Sequence, residues 1–335
     1  MTTSRITILL SMFAVVAVNQ QSFAQDSAKK PVQANDLVEI FEKLGGKHPG
    51  FRKAHARGLC ASGIFTPSTD QAMQEHFKSA SLLSNGELPV SMRFSLGGAN
   101  PNADERAPGT RGMGMKISLP DGSMHVFTGN NFPVFAGKDP ETFFGFLSTL
   151  LPDEDGVRDP KRTGKFIMEN PSVQAHAAWQ QSAKTAASYA NTEFFGLHTF
   201  FYNQGQANET KFRWHLTPDL GVQTLSKDEA AQKPEAFLAD TMKKQMADST
   251  VSFTLHASIG QAEDSDIDPS SQWPSQRAKV SLGKITLTSA GDDSCNNTNY
   301  DPNLLSKGFS PSADPILRMR SPAYAISFGK RLSNQ

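Results

Sequence analysis

The chain has 335 residues, with 33 Lys+Arg against 33 Asp+Glu, and so no net charge at neutral pH. Without a basic excess there is no electrostatic footprint for a phosphate backbone, which argues against nucleic acid as a partner. Charged residues at 20% beside hydrophobic residues at 38% describe a globular protein rather than a disordered charged tail.

Residues 1–24 read as a signal peptide. Arg5 supplies the basic start, Ile6 to Val18 an apolar run, and Ser22-Phe23-Ala24 the small residues of a cleavage site, with Gln25 as the mature N-terminus. The run is shorter than the roughly 20 residues of a transmembrane helix, so the expectation is a periplasmic or secreted protein with no membrane anchor after cleavage. The two cysteines, Cys60 and Cys295, are permitted to pair in such a compartment, but two in a chain of this size do not make a disulfide framework, and the pairing stays open.

After a polar lead over residues 25–35, Asn35 is placed to cap a helix carrying Leu37, Val38, Ile40, Phe41 and Leu44 on one face, with Gly45-Gly46 as its stop. Strand patterns follow at 63–65, 90–96, 112–119 and 124–128. Leu119-Pro120-Asp121-Gly122 turns the last two into a hairpin. Helices are expected over 142–151 and 172–189, a second strand block over 199–216, a helical piece over 228–247, and strands over 250–258 and 279–288. A polar loop over 289–306 leads to a final helix over 314–331. Strands, helices, then strands again is the order of an α+β fold. No boundary divides residues 25–335 into separate domains.

No H-E-x-x-H, His/Cys cluster, G-x-S-x-G, P-loop or complete G-x-G-x-x-G is present, which removes zinc hydrolysis and nucleotide binding from the leading readings. Tyrosines are scarce beside the 23 phenylalanines, so a tyrosine-dependent function has only Tyr189, Tyr202, Tyr300 and Tyr324 to draw on.

Three segments carry a specific pattern: Arg52-Lys53-Ala54-His55-Ala56-Arg57-Gly58, Gly129-Asn130-Asn131-Phe132-Pro133-Val134-Phe135, and Arg320-Ser321-Pro322-Ala323-Tyr324 followed by Arg331. They resemble the distal-histidine, distal-asparagine and proximal-tyrosine signatures of the haem catalases. Supporting matches stand in the same order at Met92-Arg93-Phe94-Ser95, Arg111-Gly112, His198-Thr199-Phe200, Trp273-Pro274 and Asp314-Pro315-Ile316-Leu317. The resemblance covers the chain from about residue 36 onward. It implies a catalase-like antiparallel β-barrel with attached helices, and haem, taken as b-type, as cofactor.

By that resemblance Tyr324 is the iron ligand and His55 the distal acid/base, Asn131 orients the bound peroxide, and Ser95 holds the histidine ring. Arg52, Arg93 and Arg331 pair with haem propionates, and Phe143, like Phe135, lies near the haem. Free tyrosine ionises near pH 10, so a tyrosinate ligand needs a positive neighbour. Arg320, four residues earlier, shares its face if the segment is helical. Pro322 between them requires either that the helix begin there or that it be kinked.

The chain ends 11 residues after Tyr324 and lacks the long N-terminal arm and the C-terminal helical region of full-length catalases. It resembles the shortened catalase-related peroxidases. This puts the interlocked tetramer and NADPH binding in doubt, leaves other oligomers open, and predicts a shorter access channel that admits larger peroxides. Met124-His125-Val126 also departs from the family's Trp-containing run. The expected function is reduction of hydrogen peroxide or organic hydroperoxides by an unidentified electron donor, with weak catalase activity. Two rivals are a hydroperoxide-rearranging enzyme like the allene oxide synthases and a periplasmic haem-binding protein without catalysis.

Overall fold

In the computed structural model, which describes residues 30–203 and 209–335, helix α1 (Ala34–Gly45) turns Leu37, Val38 and Ile40 inward. Its capping box is closed by Gln33 and Asp36 rather than by Asn35, the Asp36 carboxylate accepting from the Gln33 N–H. The leader over 1–24 and the start at Gln25 lie outside the described residues. Residues Val32–Gln335 form one unit, and it carries every strand and helix of the described residues.

Strand β1 (Gly58–Pro67) is followed by two short helices, α2 (Gln71–Phe77) and α3 (Ser81–Ser84), and then by β2 (Leu88–Leu96), β3 (Arg111–Ser118) and β4 (Met124–Asn130). Helices α4 (Pro140–Thr149), α5 (Pro160–Glu169) and α6 (Pro171–Ser182) come next, each with proline in its first turn, where no intrahelical N–H is needed. The chain continues through β5 (Thr185–Ala186), β6 (Phe194–Phe195), β7 (Phe200–Asn203), β8 (Glu209–Pro218) and β9 (Thr224–Leu225). It ends with α7 (Lys227–Ala231), α8 (Leu238–Asp248), β10 (Ser252–Ile259), β11 (Lys279–Ala290), β12 (Phe309–Pro311) and α9 (Pro315–Leu332).

Antiparallel pairing runs β10-β11-β1-β2-β3-β4-β6-β8, and β8 pairs back onto β10, closing an eight-stranded barrel. Closure leaves these strands no unpaired edge. Alternation along the strands sends every second residue inward. Val90, Met92 and Phe94 of β2 meet Met113, Met115 and Ile117 of β3 in the interior, where the Phe94 ring lies 5.5 Å from Tyr189, 5.7 Å from Phe194 and 5.8 Å from Phe253. The other set faces outward toward the helices.

The α+β barrel expectation is met, but several elements differ from the sequence reading. The helix expected over 172–189 stops at Ser182, because the residues beyond it serve the barrel: Thr185–Ala186 pairs with β9, and Tyr189 is buried against Phe94. The piece over 228–247 is two helices, the first closed in a capping box by Ser226 and Glu229, with Pro234 in the break. The block over 199–216 is two strands, and residues 204–208 between them lie outside the described residues. Helix α9 starts at Pro315 and runs on through Pro322, with Asp314 accepting from the Ile316 and Leu317 N–H groups at 2.8 and 3.2 Å. His125, where the sequence departs from the family run, is buried between Phe127 and Phe309 and accepts at Nδ1 from the Ser306 N–H.

Cys60 and Cys295 are bonded, joining β1 to the loop after β11 across 235 positions of sequence. Among the described residues no helix is long and apolar enough to cross a membrane. A cross-link spanning so much chain restricts the unfolded ensemble strongly, so replacing both cysteines by alanine lowers the unfolding free energy by about 2–5 kcal/mol, read from urea denaturation.

Candidate active site

Register places the first half of the site. Ser95 of β2 pairs with Gly112 of β3, and Gly112 pairs with Asn130 of β4, so the three form one transverse row. Directly opposed residues share a face, and this row belongs to the outward set. The next outward row is Arg93, Gly114 and Thr128. All six line a single cavity between the barrel wall and helices α1, α4 and α9.

Glycine in β3 makes room for what lies on this wall. A Cβ on Gly112 would stand 2.5 Å from His55 Nδ1, and one on Gly114 would stand 2.7 Å from the Tyr300 ring. His55 thus lies directly against the strand. Its Nδ1 is 3.0 Å from Ser95 Oγ, and its backbone sits in the left-handed region at φ 56°, a conformation that costs a non-glycine residue about 1–2 kcal/mol. Arg93 holds that bend, donating to the carbonyls of His55 at 2.8 Å and Ala56 at 2.9 Å. Burial, and then the positive charges of Arg93, Arg320 and Arg52, push the His55 imidazole down to about 3. It is a neutral base at ordinary pH.

The opposite wall is α9. Tyr324 and Arg320 both line the cavity, and Arg320 Nη2 donates to Tyr324 Oη at 2.7 Å. The helical register proposed from the i, i+4 spacing therefore holds despite Pro322. The base of α9 is tied to the barrel end by His198, whose Nδ1 lies 2.6 Å from Asp314 Oδ2 while Asp314 Oδ1 caps the helix. Between the two walls the lining is apolar and aromatic, with Phe143 4.6 Å from Phe135 and 6.2 Å from Phe41, centroid to centroid.

One end of the cavity is cationic. Arg52, Arg93 and Arg331 all reach it, and no carboxylate pairs with any of them among the described residues. Arg52 donates only to carbonyls, the nearest being Thr298 at 2.9 Å. Burial together with the charges of Arg93 and Arg331 lowers it to about 9, and burial lowers Arg93 to about 10. Arg331 Nη2 is buried with no hydrogen-bond partner. A buried cation without an anion is costly, and these groups are arranged for one or more carboxylates carried by a bound molecule. A flat apolar ring system with an acidic end, a phenol oxygen on one face and an imidazole on the other is the shape of a haem site, and the residues fit that group.

Of the residues predicted from sequence, the structure brings together His55, Ser95, Arg52, Arg93, Phe143, Arg320, Tyr324 and Arg331. Asn131 is the exception. Its Oδ1 accepts from the Arg111 N–H at 2.8 Å, its Nδ2 donates to the Gly109 carbonyl at 3.2 Å, and it borders a different cleft. Asn130 lines the cavity instead, because neighbouring residues of a strand point to opposite faces. Tyr300, counted among the four tyrosines but given no role from sequence, also lines the cavity. His198 and Asp314 stood in motifs that the sequence shows, but only the fold reveals their contact.

Comparison with known proteins agrees with this geometry. Residues 15–335 match the family model for catalase. The chain is 34% identical to the catalase-related peroxidase of Synechococcus elongatus over 96% of this chain and 94% of that one. It is 32% identical to the catalase-related peroxidase of Mycolicibacterium paratuberculosis over 88% and 93%. Among solved structures a fungal catalase superposes with a TM-score of 0.75 at 22% identity, covering 96% of this chain and 66% of the other. Catalase A from Saccharomyces cerevisiae gives 0.74 at 21%, covering 94% and 68%. The chain thus spans about two thirds of the length of those catalases and nearly all of the shorter relatives. Fold, cavity and sequence agree that the chain belongs to the catalase family and is an oxidoreductase of its haem peroxidase kind.

Proposed function

We propose that this protein reduces hydrogen peroxide or an organic hydroperoxide to water or an alcohol, using b-type haem and electrons from a separate reductant, with disproportionation of hydrogen peroxide a weaker side activity. The observation that carries the reading is a neutral imidazole fixed on one wall of the cavity and an arginine-bound phenol on the other. Haem, when bound, supplies the iron that accepts the oxidising equivalents of the peroxide and passes them to the reductant.

Tyr324 would hold the iron, with the Arg320 N–H favouring negative charge on its oxygen. Arg52, Arg93 and Arg331 would hold the propionates, and Phe143 would pack near the ring. His55 takes the proton from the inner oxygen of the peroxide and delivers it to the outer one, which leaves as water or alcohol. Ser95 keeps the ring flat against Gly112 for both transfers. Asn130, on the same row, offers its amide to the peroxide and orients it. The leader-like start of the chain supports export, and the Cys60–Cys295 bond suits an oxidising compartment such as the periplasm.

The test of ligand and reaction class is the visible spectrum of the haem-reconstituted protein beside Tyr324→Phe, before and after one equivalent of a hydroperoxide. The wild type is expected to show a haem band that responds to peroxide, and the variant an altered or missing band. Product analysis separates reduction, which yields alcohol and consumes reductant, from rearrangement, which consumes none. A protein that binds no haem overturns the reading.

His55→Ala is expected to slow the reaction with peroxide by about 10²–10⁴-fold with haem retained, in stopped flow. Because the imidazole is lowered to about 3, it stays unprotonated as pH falls from 9 to 5, and the wild-type rate should show no inflection near the usual histidine value. An inflection near pH 6.5 would contradict this.

The two asparagines separate in the same assay. Asn130→Ala is expected to slow the peroxide reaction by about 10²-fold, the scale of losing one positioned hydrogen-bond donor. Asn131→Ala leaves the Arg111 N–H and the Gly109 carbonyl without their partner and lowers the unfolding free energy by about 1–3 kcal/mol. A greater slowing from Asn131→Ala than from Asn130→Ala would reverse the assignment.

A further inference from the structure

Arg52 and Arg331 of the cationic cluster each have a lysine beside them in sequence. Lys53 follows Arg52 and stands two residues before His55, and Lys330 precedes Arg331 on α9. Both lysines reach one carboxylate, Glu42 of α1, whose Oε1 lies 3.3 Å from Lys53 Nζ while its Oε2 accepts from Lys330 Nζ at 2.6 Å. Glu42 and Lys53 are buried, and the Lys53 ammonium also donates to the carbonyls of His48 and Gln335. The Lys53 N–H donates to Ser327 Oγ of α9 at 3.2 Å. Three segments thus meet at one buried acid: α1, the stretch that carries His55, and the helix that carries Tyr324.

Helix α1 itself gains nothing from Glu42. The residue sits in the last turn, where the helix dipole disfavours a carboxylate, and burying a charge is costly. Burial alone would raise its carboxyl, but the bonds from Lys330 and Lys53 outweigh this and hold it below the usual carboxylate range. The effect of the pairing lies one residue away on each side. Arg52 and Arg331 repel each other, which is one cause of the lowering of Arg52, and among the described residues no carboxylate holds either of them. Glu42 acts on their neighbours instead, drawing the two backbones together against that repulsion.

We propose that Glu42 is a positioning residue for the cationic end of the cavity: through Lys53 and Lys330 it holds Arg52 and Arg331 at the spacing that receives the two carboxylates of a porphyrin. The proposal rests on the haem reading of the cavity and deepens it. Assembling the arginines during folding removes from the binding step the work of bringing like charges together, so the cofactor meets a prepared site.

The test uses the haem-free protein and two metal-free probes, protoporphyrin IX and its dimethyl ester, which differ only in the two carboxylates. Binding is read from porphyrin fluorescence, so neither iron nor turnover enters. The wild type is expected to prefer the acid over the ester, and Glu42→Gln to reduce that preference by about tenfold, the scale of one hydrogen bond to a charged group. Simple electrostatics has the opposite sign: Glu42 as a mere negative charge repels carboxylates, and its removal would raise the preference. Lys330→Met detaches α9 while Glu42 stays paired with Lys53, and is expected to lower the preference likewise, whereas Lys330→Arg keeps the pair and retains it. Lys330 is partly exposed, so these two variants decide the matter where Glu42→Gln fails to fold. A preference unchanged or raised in Glu42→Gln, or unchanged in Lys330→Met, overturns the proposal. A wild type with no preference for the acid overturns the propionate reading of the arginines. A wild type that prefers the acid but, loaded with haem, leaves peroxide untouched overturns the peroxidase reading alone.

Discussion

Backbone pairing across β2, β3 and β4 is the constraint on which the site depends. A slip of one residue in any of these ladders would turn Ser95, Gly112 or Asn130 from the outer face into the core and send an apolar neighbour outward. The interior holds the register, because Met92, Phe94, Met113 and Met115 are fully or almost fully buried and could not be exchanged for Arg93, Ser95 or the glycines without losing the core. The stability of the barrel and the placement of the outer row are thus one energetic fact. The two glycines of β3 complete it by leaving the space that His55 and Tyr300 fill.

Electrostatics builds on that frame. Three guanidinium groups converge without a carboxylate, and their cost is met in part by carbonyls: those of His55 and Ala56 for Arg93, and those of Cys295, Asn296 and Thr298 for Arg52. The Cys60–Cys295 bond anchors the loop that supplies the second set, so the disulfide acts on the cationic end of the cavity as well as on the unfolded chain. Burial first, and then the charges of Arg93, Arg320 and Arg52, hold His55 neutral, so two of the three groups act on it as well. One cluster therefore presents an anion site and a proton acceptor together, and filling it with carboxylates would relieve the repulsion that the protein alone leaves.

Much of this was legible in the sequence, for physical reasons that differ from part to part. The i, i+4 spacing of Arg320 and Tyr324 gave their contact and the apolar spacing after Asp314 gave the helix, whereas its start at Pro315, with Asp314 as cap and Pro322 in its interior, needed the structure. His55 and Ser95 were legible by resemblance, although 40 positions separate them, and their contact exists only because β1 and β2 pair. Asn130 and Asn131 could not be told apart without a register, since a strand alternates its faces and identical neighbours carry no pattern. The helix over 172–189 was overextended because its apolar spacing does not say whether the residues after Ser182 are to pack on a helix face or in a barrel.

Asn131, though outside the cavity, still belongs to the mechanism of the fold. It joins the loop before β3 to the end of β4 through the Arg111 N–H and the Gly109 carbonyl, and its own N–H donates to the Arg111 carbonyl. Those three bonds fix the backbone at the point where Asn130 leaves the ladder. With Asn131 tied on one face, Asn130 is obliged to present its amide to the other. Phe132 and Pro133 then repeat the alternation, so this short stretch is the shared wall of the cavity and of the cleft that Asn131 borders. A displacement on either side must move the backbone that both use, which makes the position of Asn130 in the cavity and the shape of the cleft beside Asn131 properties of a single segment.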